Sequence, residues 1–251
     1  MTSRYNVYLN NVALSSLNTS LYVSDISYAP VQEEISVANF AGRSGALVTN
    51  RRKPQTTVTV TFELHIYGTQ ARQNACADVI AWAKDGGILT TSDRADQYLQ
   101  CVCTKLPAIE SALKWTDNLT VEFTAYAIPY WQSVTPDTAT VTGSGSLFVH
   151  GNGGKAMVNA EITAGASLTA LSIAVGDTTI ALSNISLSAN DVVNISHDAN
   201  GILSIKKGTT SLLDKRTSAS SDDLLAECGA TNTVTVSENA TAVISVKGVW
   251  H

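Results

Sequence analysis

The chain is 251 residues long, 44% hydrophobic and only 15% charged, with a formal net charge of −5 at pH 7. That length accommodates one large or two ordinary domains with real cores, and the apolar content excludes a disordered chain. The acidic balance, with a pI near 5.3, argues against a basic surface that would hold nucleic acid.

Threonine (29) and serine (26) make up 55 of the 251 residues. A chain poor in charge and rich in Thr, Ser and Val is expected to be mainly β, with uncharged polar faces in place of a helical bundle. Met1–Asn11 is polar and contains Arg4, with no apolar stretch of signal-peptide length. The longest uncharged stretches, Thr138–Gly154 and Ile162–Gly176, are broken by Gly, Ser, Thr and Asn, so no membrane span is expected. The expectation is a soluble product of the cytosol.

Taken in chain order, Ile26–Arg52 is irregular and contains Pro30, Gly42 and Gly45. It reads as an extended hairpin or arm, too poor in apolar residues to fold alone. Next, Val58, Val60, Phe62, Leu64 and Ile66 alternate with Thr57, Thr59, Thr61, Glu63 and His65, the pattern of a half-buried strand. Tyr67-Gly68-Thr69 breaks it, with Thr69 as the expected N-cap of a helix over about 70–85. Ala71, Ala75, Val79 and Trp82 form a stripe on that helix, with Ile80 and Ala83 beside it, and Gly86-Gly87 stops it. Two further strands are expected around Tyr98–Thr104 and Leu119–Ala127.

Composition changes near residue 133. All eight tyrosines precede residue 131, and after Gln132 the only Phe, Tyr or Trp residues are Phe148 and Trp250. A Pro/Gly/Ser-rich stretch separates the halves, which predicts domains at 1–133 and 134–251. The second half is a run of short β patterns between turn residues. Asn200-Gly201, between Val192–His197 and Ile202–Lys206, is a strong hairpin motif. Closely spaced strands without helices predict an antiparallel sandwich.

Motifs that carry chemistry are scarce. Gly42-Arg43-Ser44-Gly45 and Gly143-Ser144-Gly145-Ser146 fit neither a nucleophile elbow nor a phosphate loop, and read as turns. Glu33-Glu34 and Asp222-Asp223 are adjacent carboxylates, which on a strand point to opposite faces and cannot converge on one site. Asp198-Ala199-Asn200-Gly201 lacks the terminal Glu of a calcium loop. Cys101 and Cys103 share one face of a strand, but there is no second well-spaced ligand pair for zinc, so Cys76, Cys101, Cys103 and Cys228 are expected as free thiols. No catalytic, metal or cofactor-binding residue is assigned, and no enzyme is expected. A sugar-binding second half would want exposed aromatics, and only Phe148 and Trp250 are on hand. The single basic cluster is Arg51-Arg52-Lys53 with Arg43 nearby; it is either a docking strip for a partner's carboxylates or solvated charge.

The order of elements in the first half resembles the N-terminal domain of distal tail proteins (Dit) of phages with long non-contractile tails. The residues that carry the resemblance are Gly42-Arg43-Ser44-Gly45, Arg51-Arg52, the strand Val58–Ile66, Arg72 and the helix ending Ile80-Ala81-Trp82. Gly87-Ile88-Leu89, Asp93 with Asp96-Gln97-Tyr98, and the closing Phe123–Trp131 follow, with Ile128 where the family often has Asp. The resemblance implies a mainly β structural protein: a β-sandwich-like N-terminal domain with one helix and an arm, and a galectin-like C-terminal antiparallel β-sandwich. It implies a homohexameric ring at the tail tip or baseplate of the virion, with Arg43, Arg51 and Arg52 at the subunit contact. Its implied partners are the tail-tube protein, the tail tip or tail-associated lysin protein and other baseplate proteins, with DNA passing through the channel without specific binding. It implies no cofactor and no membrane insertion. Two other readings stay open: a carbohydrate- or receptor-binding tail module, and the tail-tube protein itself.

Overall fold

The structure is a computed structural model that describes residues 5–29, 33–39, 44–53, 55–110, 113 and 118–251. The chain divides into two compact units, Met1–Trp131 and Gln132–His251.

In the first unit the elements are β1 (Val7–Leu9), β2 (Val12–Ala13), α1 (Leu14–Leu17), β3 (Leu21–Tyr28), β4 (Glu34–Asn39), β5 (Ala46–Arg52), β6 (Thr56–Leu64), α2 (Thr69–Ala83), β7 (Gly87–Thr91), β8 (Gln97–Lys105) and β9 (Leu119–Ala125). A sheet runs in the order β2-β1-β7-β8-β9-β6-β3, and every neighbouring pair is antiparallel. The period-2 pattern holds through β6, where Val58, Val60, Phe62 and Leu64 are completely buried and Thr57, Thr59, Thr61 and Glu63 are half-buried, but the strand ends at Leu64 and Ile66, expected to continue it, lies outside and is half-buried. Each such large apolar side chain is worth about 1.5–3 kcal/mol on burial, so β6 anchors the core.

Helix α2 covers the buried face of this sheet. It buries Ala75, Cys76, Val79 and Ala83, and the Trp82 ring meets Phe123 of β9 edge-on at 5.9 Å. Ala71, expected on the inner stripe, is exposed. The cap position belongs to Gly68, with φ +85°, and Thr69 is the first helical residue. A glycine takes that conformation without the Cβ clash that other residues meet, so the turn out of β6 needs Gly68 more than a hydroxyl cap. At the other end Gly86 has φ +65°, and its N–H donates to the Ala83 carbonyl at 2.9 Å.

The arm begins later than the sequence suggested. Ile26, Ser27 and Tyr28 pair with Val60, Thr59 and Val58, so they belong to the core sheet. A register shift between Val23 and Asp25 interrupts the alternation of β3, which hides it from pattern reading. Beyond Ala29, β4 and β5 form a two-stranded sheet of their own.

The second unit contains β10, whose range Trp131–Ser133 overlaps the division, then β11 (Asp137–Thr142), β12 (Ser144–Val149), β13 (Lys155–Ala164), β14 (Leu168–Val175), β15 (Thr178–Leu187), β16 (Val192–His197), β17 (Leu203–Lys207), β18 (Thr210–Ser211), β19 (Leu225–Glu227), β20 (Ala230–Val236), β21 (Ala240–Val246) and β22 (Val249–Trp250). One sheet runs β11-β21-β13-β16-β17-β18, with β19 on β13; the other runs β12-β20-β14-β15. Each sheet buries alternate residues, such as Val158, Ala160 and Ile162 of β13 and Leu171, Ile173 and Val175 of β14, which is the construction of a sandwich. The hairpin at Asn200-Gly201 forms as expected, but only Gly201 has positive φ (+77°). Asp198 closes this longer turn by accepting from the N–H groups of Asn200 and Ile202. The outer edge of β15 is occupied by residues 217–221: Thr217 N–H donates to Ala181 O, and Ser220 and Ser221 bond the backbones of Ala181 and Thr179.

Candidate assembly interface

Strands β4 and β5 pair Glu34 with Arg52, Ile35 with Arg51, Ser36 with Asn50 and Val37 with Val48, with Thr49 as an extra residue in β5. A two-stranded ribbon has too little area to bury its own side chains. Accordingly Ile35, Val37, Leu47 and Val48 are 44–56% exposed. Apolar residues left exposed on a narrow two-stranded ribbon make it a candidate contact surface. Arg51 and Arg52 lie on β5, at the end nearer the body of the unit; Arg43 is outside the described residues. Lys53 does not extend the strip, because its ammonium sits 5.4 Å over the Tyr130 ring.

Residues far apart in sequence meet at the base of this arm. Tyr28, the last residue of β3, donates its hydroxyl to Asp93. It lies 3.0 Å from the Thr91 hydroxyl, and its ring is edge-on to Trp131 at 5.6 Å. The Arg94 guanidinium covers both rings, 4.5 Å from that of Tyr28 and 5.2 Å from that of Trp131. Burial, with the Asp93 carboxylate also contributing, holds the Tyr28 phenol above its ordinary range. On the returning strand the Thr56 hydroxyl donates to the Pro129 carbonyl, and Ala29 N–H donates to Thr57 O. Asp93, Tyr130 and Trp131, scattered in the sequence, therefore converge on the root of the hairpin. Tyr28 and Arg94 belong to the same cluster but stand out by no motif of their own.

The remaining candidates have structural explanations. Ser44-Gly45 forms the bend before β5, and Gly143, with φ +73°, turns β11 into β12. Cys101 and Cys103 are neighbours on β8, yet each thiol faces a backbone carbonyl, of Gly87 and Lys105 respectively. Burial pushes the Cys101 thiol up to about 12. All four cysteines are free thiols. Asp223 lies 3.6 Å from Nε2 of the nearly buried His197 ring, whereas Asp222 has no such role. Phe148 is 47% exposed and Trp250 donates its indole N–H to Ser133 Oγ at 3.0 Å. No described helix is long and apolar enough to cross a membrane.

No family model and no curated protein matches the sequence. Among solved structures, the Dit protein (gp 19.1) of phage SPP1, described as a paradigm of the hub adsorption apparatus of phages infecting Gram-positive bacteria, superimposes with a TM-score of 0.70. The match covers 97% of this chain and 98% of that one at 12% identity. This chain has the distal tail protein fold. The likeness spans both units, so the Dit fold accounts for the sheet-and-helix unit and the sandwich together. Two structures of the phage p2 baseplate in its activated conformation, with Sr and with Ca, match more loosely, at TM-score 0.46, 11% and 12% identity and 97% or more of each chain.

Proposed function

We propose that this protein is a structural component of a phage tail: a distal tail hub that joins the tail tube to the tip or host-adsorption apparatus. The observation that carries this reading is the Dit fold along 97% of the chain, combined with an arm that displays apolar residues and has no core beneath it. In this reading the first unit closes a homohexameric ring in which each arm lies across the neighbouring subunit. Arg43, Arg51 and Arg52 lie at the subunit contact and meet carboxylates of the next copy. Ring closure covers sheet edges that a monomer leaves open. The acidic balance suits a lumen through which DNA slides without being held. The hub is made in the host cytoplasm, works in the virion, and touches tail-tube, tip or lysin and other baseplate proteins.

Native mass measurement and negative-stain imaging of the purified chain test this reading. Six-fold rings are expected. A protein that stays monomeric at high concentration and shows no rings overturns it. Charge reversal at Arg43, Arg51 and Arg52 is expected to abolish rings while leaving the monomer folded; unchanged ring formation would remove these arginines from the contact.

A further inference from the structure

The sequence contains two Asn-Gly pairs, Asn152-Gly153 and Asn200-Gly201. This dipeptide is chemically labile in water. Glycine has no side chain to obstruct the approach, so its backbone nitrogen can attack the side-chain carbonyl carbon of the asparagine before it. The attack is blocked wherever the fold holds that nitrogen and that carboxamide in fixed positions. An Asn-Gly pair therefore reacts quickly in a turn that opens easily and slowly in one that is clamped.

Asn152-Gly153 is clamped. The N–H groups of Asn152 and Gly153 both donate to the Val249 carbonyl, at 3.0 and 2.8 Å. The Asn152 side chain is held as well, its Oδ1 accepting from the His251 N–H at 3.0 Å. Gly153 is buried. The preceding Gly151 packs so closely that a Cβ there would stand 2.5 Å from the Val249 carbonyl oxygen. Bringing the Gly153 nitrogen onto the Asn152 carboxamide requires β22 to move away.

Asn200-Gly201 lies at the tip of the β16–β17 hairpin, where Asp198, Ala199 and Asn200 are all exposed. The Asn200 carboxamide has no hydrogen-bond partner among the described residues. One bond holds the Gly201 nitrogen, donated to the Asp198 carbonyl at 3.0 Å. The next residue, Ile202, is 63% exposed, so no core contact anchors the tip. Exposed loop tips open at little free-energy cost.

We propose that Asn200 is a site of spontaneous covalent modification, converted to aspartate and isoaspartate in the folded protein while Asn152 is preserved. The Gly201 nitrogen forms a bond to Asn200 Cγ and the Cγ–Nδ2 bond breaks. Nδ2 leaves as ammonia, taking the proton of the Gly201 N–H. Water then opens the cyclic imide. Opening at Cγ gives aspartate; opening at the backbone carbonyl gives isoaspartate, with the chain rerouted through Cγ. Either product places a new carboxylate beside that of Asp198, which accepts from the N–H groups of residues 200 and 202. Like charges this close repel, so the turn loosens once the change has occurred. The site is independent of ring formation.

The test is incubation of the full chain at pH 8.5 and 37 °C with tryptic mapping over time. Asn152 and Asn200 fall in separate peptides, ending at Lys155 and Lys206. The products are about 1 Da heavier than the parent, and an isoaspartyl methyltransferase assay counts the rerouted form. Conversion at Asn200 is expected to run at least ten-fold faster than at Asn152 in the native protein, and the two rates are expected to converge in urea. Asp198→Ala removes the carboxylate that ties the turn, and is expected to speed conversion at Asn200 while leaving Asn152 unchanged. Equal native rates, a difference that persists undiminished in urea, or an Asp198→Ala protein that converts no faster would each overturn the proposal.

Discussion

The hydroxyl of Tyr28 lies 2.7 Å from Oδ1 and 2.8 Å from Oδ2 of Asp93, so one donor is shared by both oxygens of a carboxylate 65 residues away. This bond fastens the end of β3 to the β7–β8 turn at the point where the arm leaves the sheet. Hydrogen bonds to charged groups contribute about 1.5–3 kcal/mol, and the solvent access of Asp93 lowers that here. Tyr28→Phe is expected to cost about 1 kcal/mol, seen as a melting temperature a few degrees lower. Arg94→Ala is expected to cost a further ~0.5–1 kcal/mol through the lost ring contacts. Chemical denaturation of the two variants checks both values, and a Tyr28→Phe protein as stable as the parent would remove Asp93 from the account of the arm's root.

His197 sets a pH dependence for the second unit. Burial holds its imidazole below the ordinary value, against the opposing pull of Asp223 and Asp198. Below about pH 6.5 the unfolded chain gains a proton on this residue, while the folded unit resists it. The unfolded state is then favoured, and stability falls with acid through that range. Urea midpoints at pH 7.5 and pH 5 should show the fall. His197→Gln should flatten the part of it that comes from this residue, and Asp223→Asn should steepen it by removing the carboxylate that favours the imidazolium.

Gly86 carries both a left-handed backbone and a tight contact. A Cβ there would stand 2.5 Å from the Cys101 carbonyl oxygen and 2.7 Å from Val102 Cα. Gly86→Ala is expected to destabilise the first unit by about 2–4 kcal/mol, the sum of strained φ and displaced backbone. A midpoint within error of the parent would show that the β7–β8 pair yields easily.

Val37 is 56% exposed on the arm. Val37→Asp should therefore change monomer stability by no more than about 0.5 kcal/mol, yet it places a charge on an apolar ribbon. Loss of rings with unchanged melting would assign the ribbon to the subunit contact, and rings of normal yield would free it from that role.

Much of this architecture was legible because single residues announce it. The alternation from Thr57 to Leu64 gives β6, the glycines at 68 and 86 bracket α2, and the Asn200-Gly201 turn joins β16 to β17. The root of the arm was less legible. Tyr28, Asp93, Arg94 and Trp131 come together by side-chain contact, although β8, β9 and β6 separate β3 from β7 in the strand order, and no local pattern records such a contact. The end of β3 was hidden by its bulge, which shifts the alternation by one residue and makes Ile26–Tyr28 resemble loop. In the second unit the missing charges were visible as composition. That four strands of one sheet, β12, β20, β14 and β15, carry no charged residue became apparent only when strands from distant parts of the sequence were placed side by side.

The segment at 217–221 that hydrogen-bonds along β15 carries a consequence for handling the protein. Beneath it lies a ten-residue strand without one charged side chain, the composition from which fibrils grow when an edge is laid bare. A protease that cut between Leu212 and Leu224 would leave the sandwich core in place and release that cover. Storage losses of this protein should therefore begin with a nick in this one segment, followed by precipitation, well before either core melts.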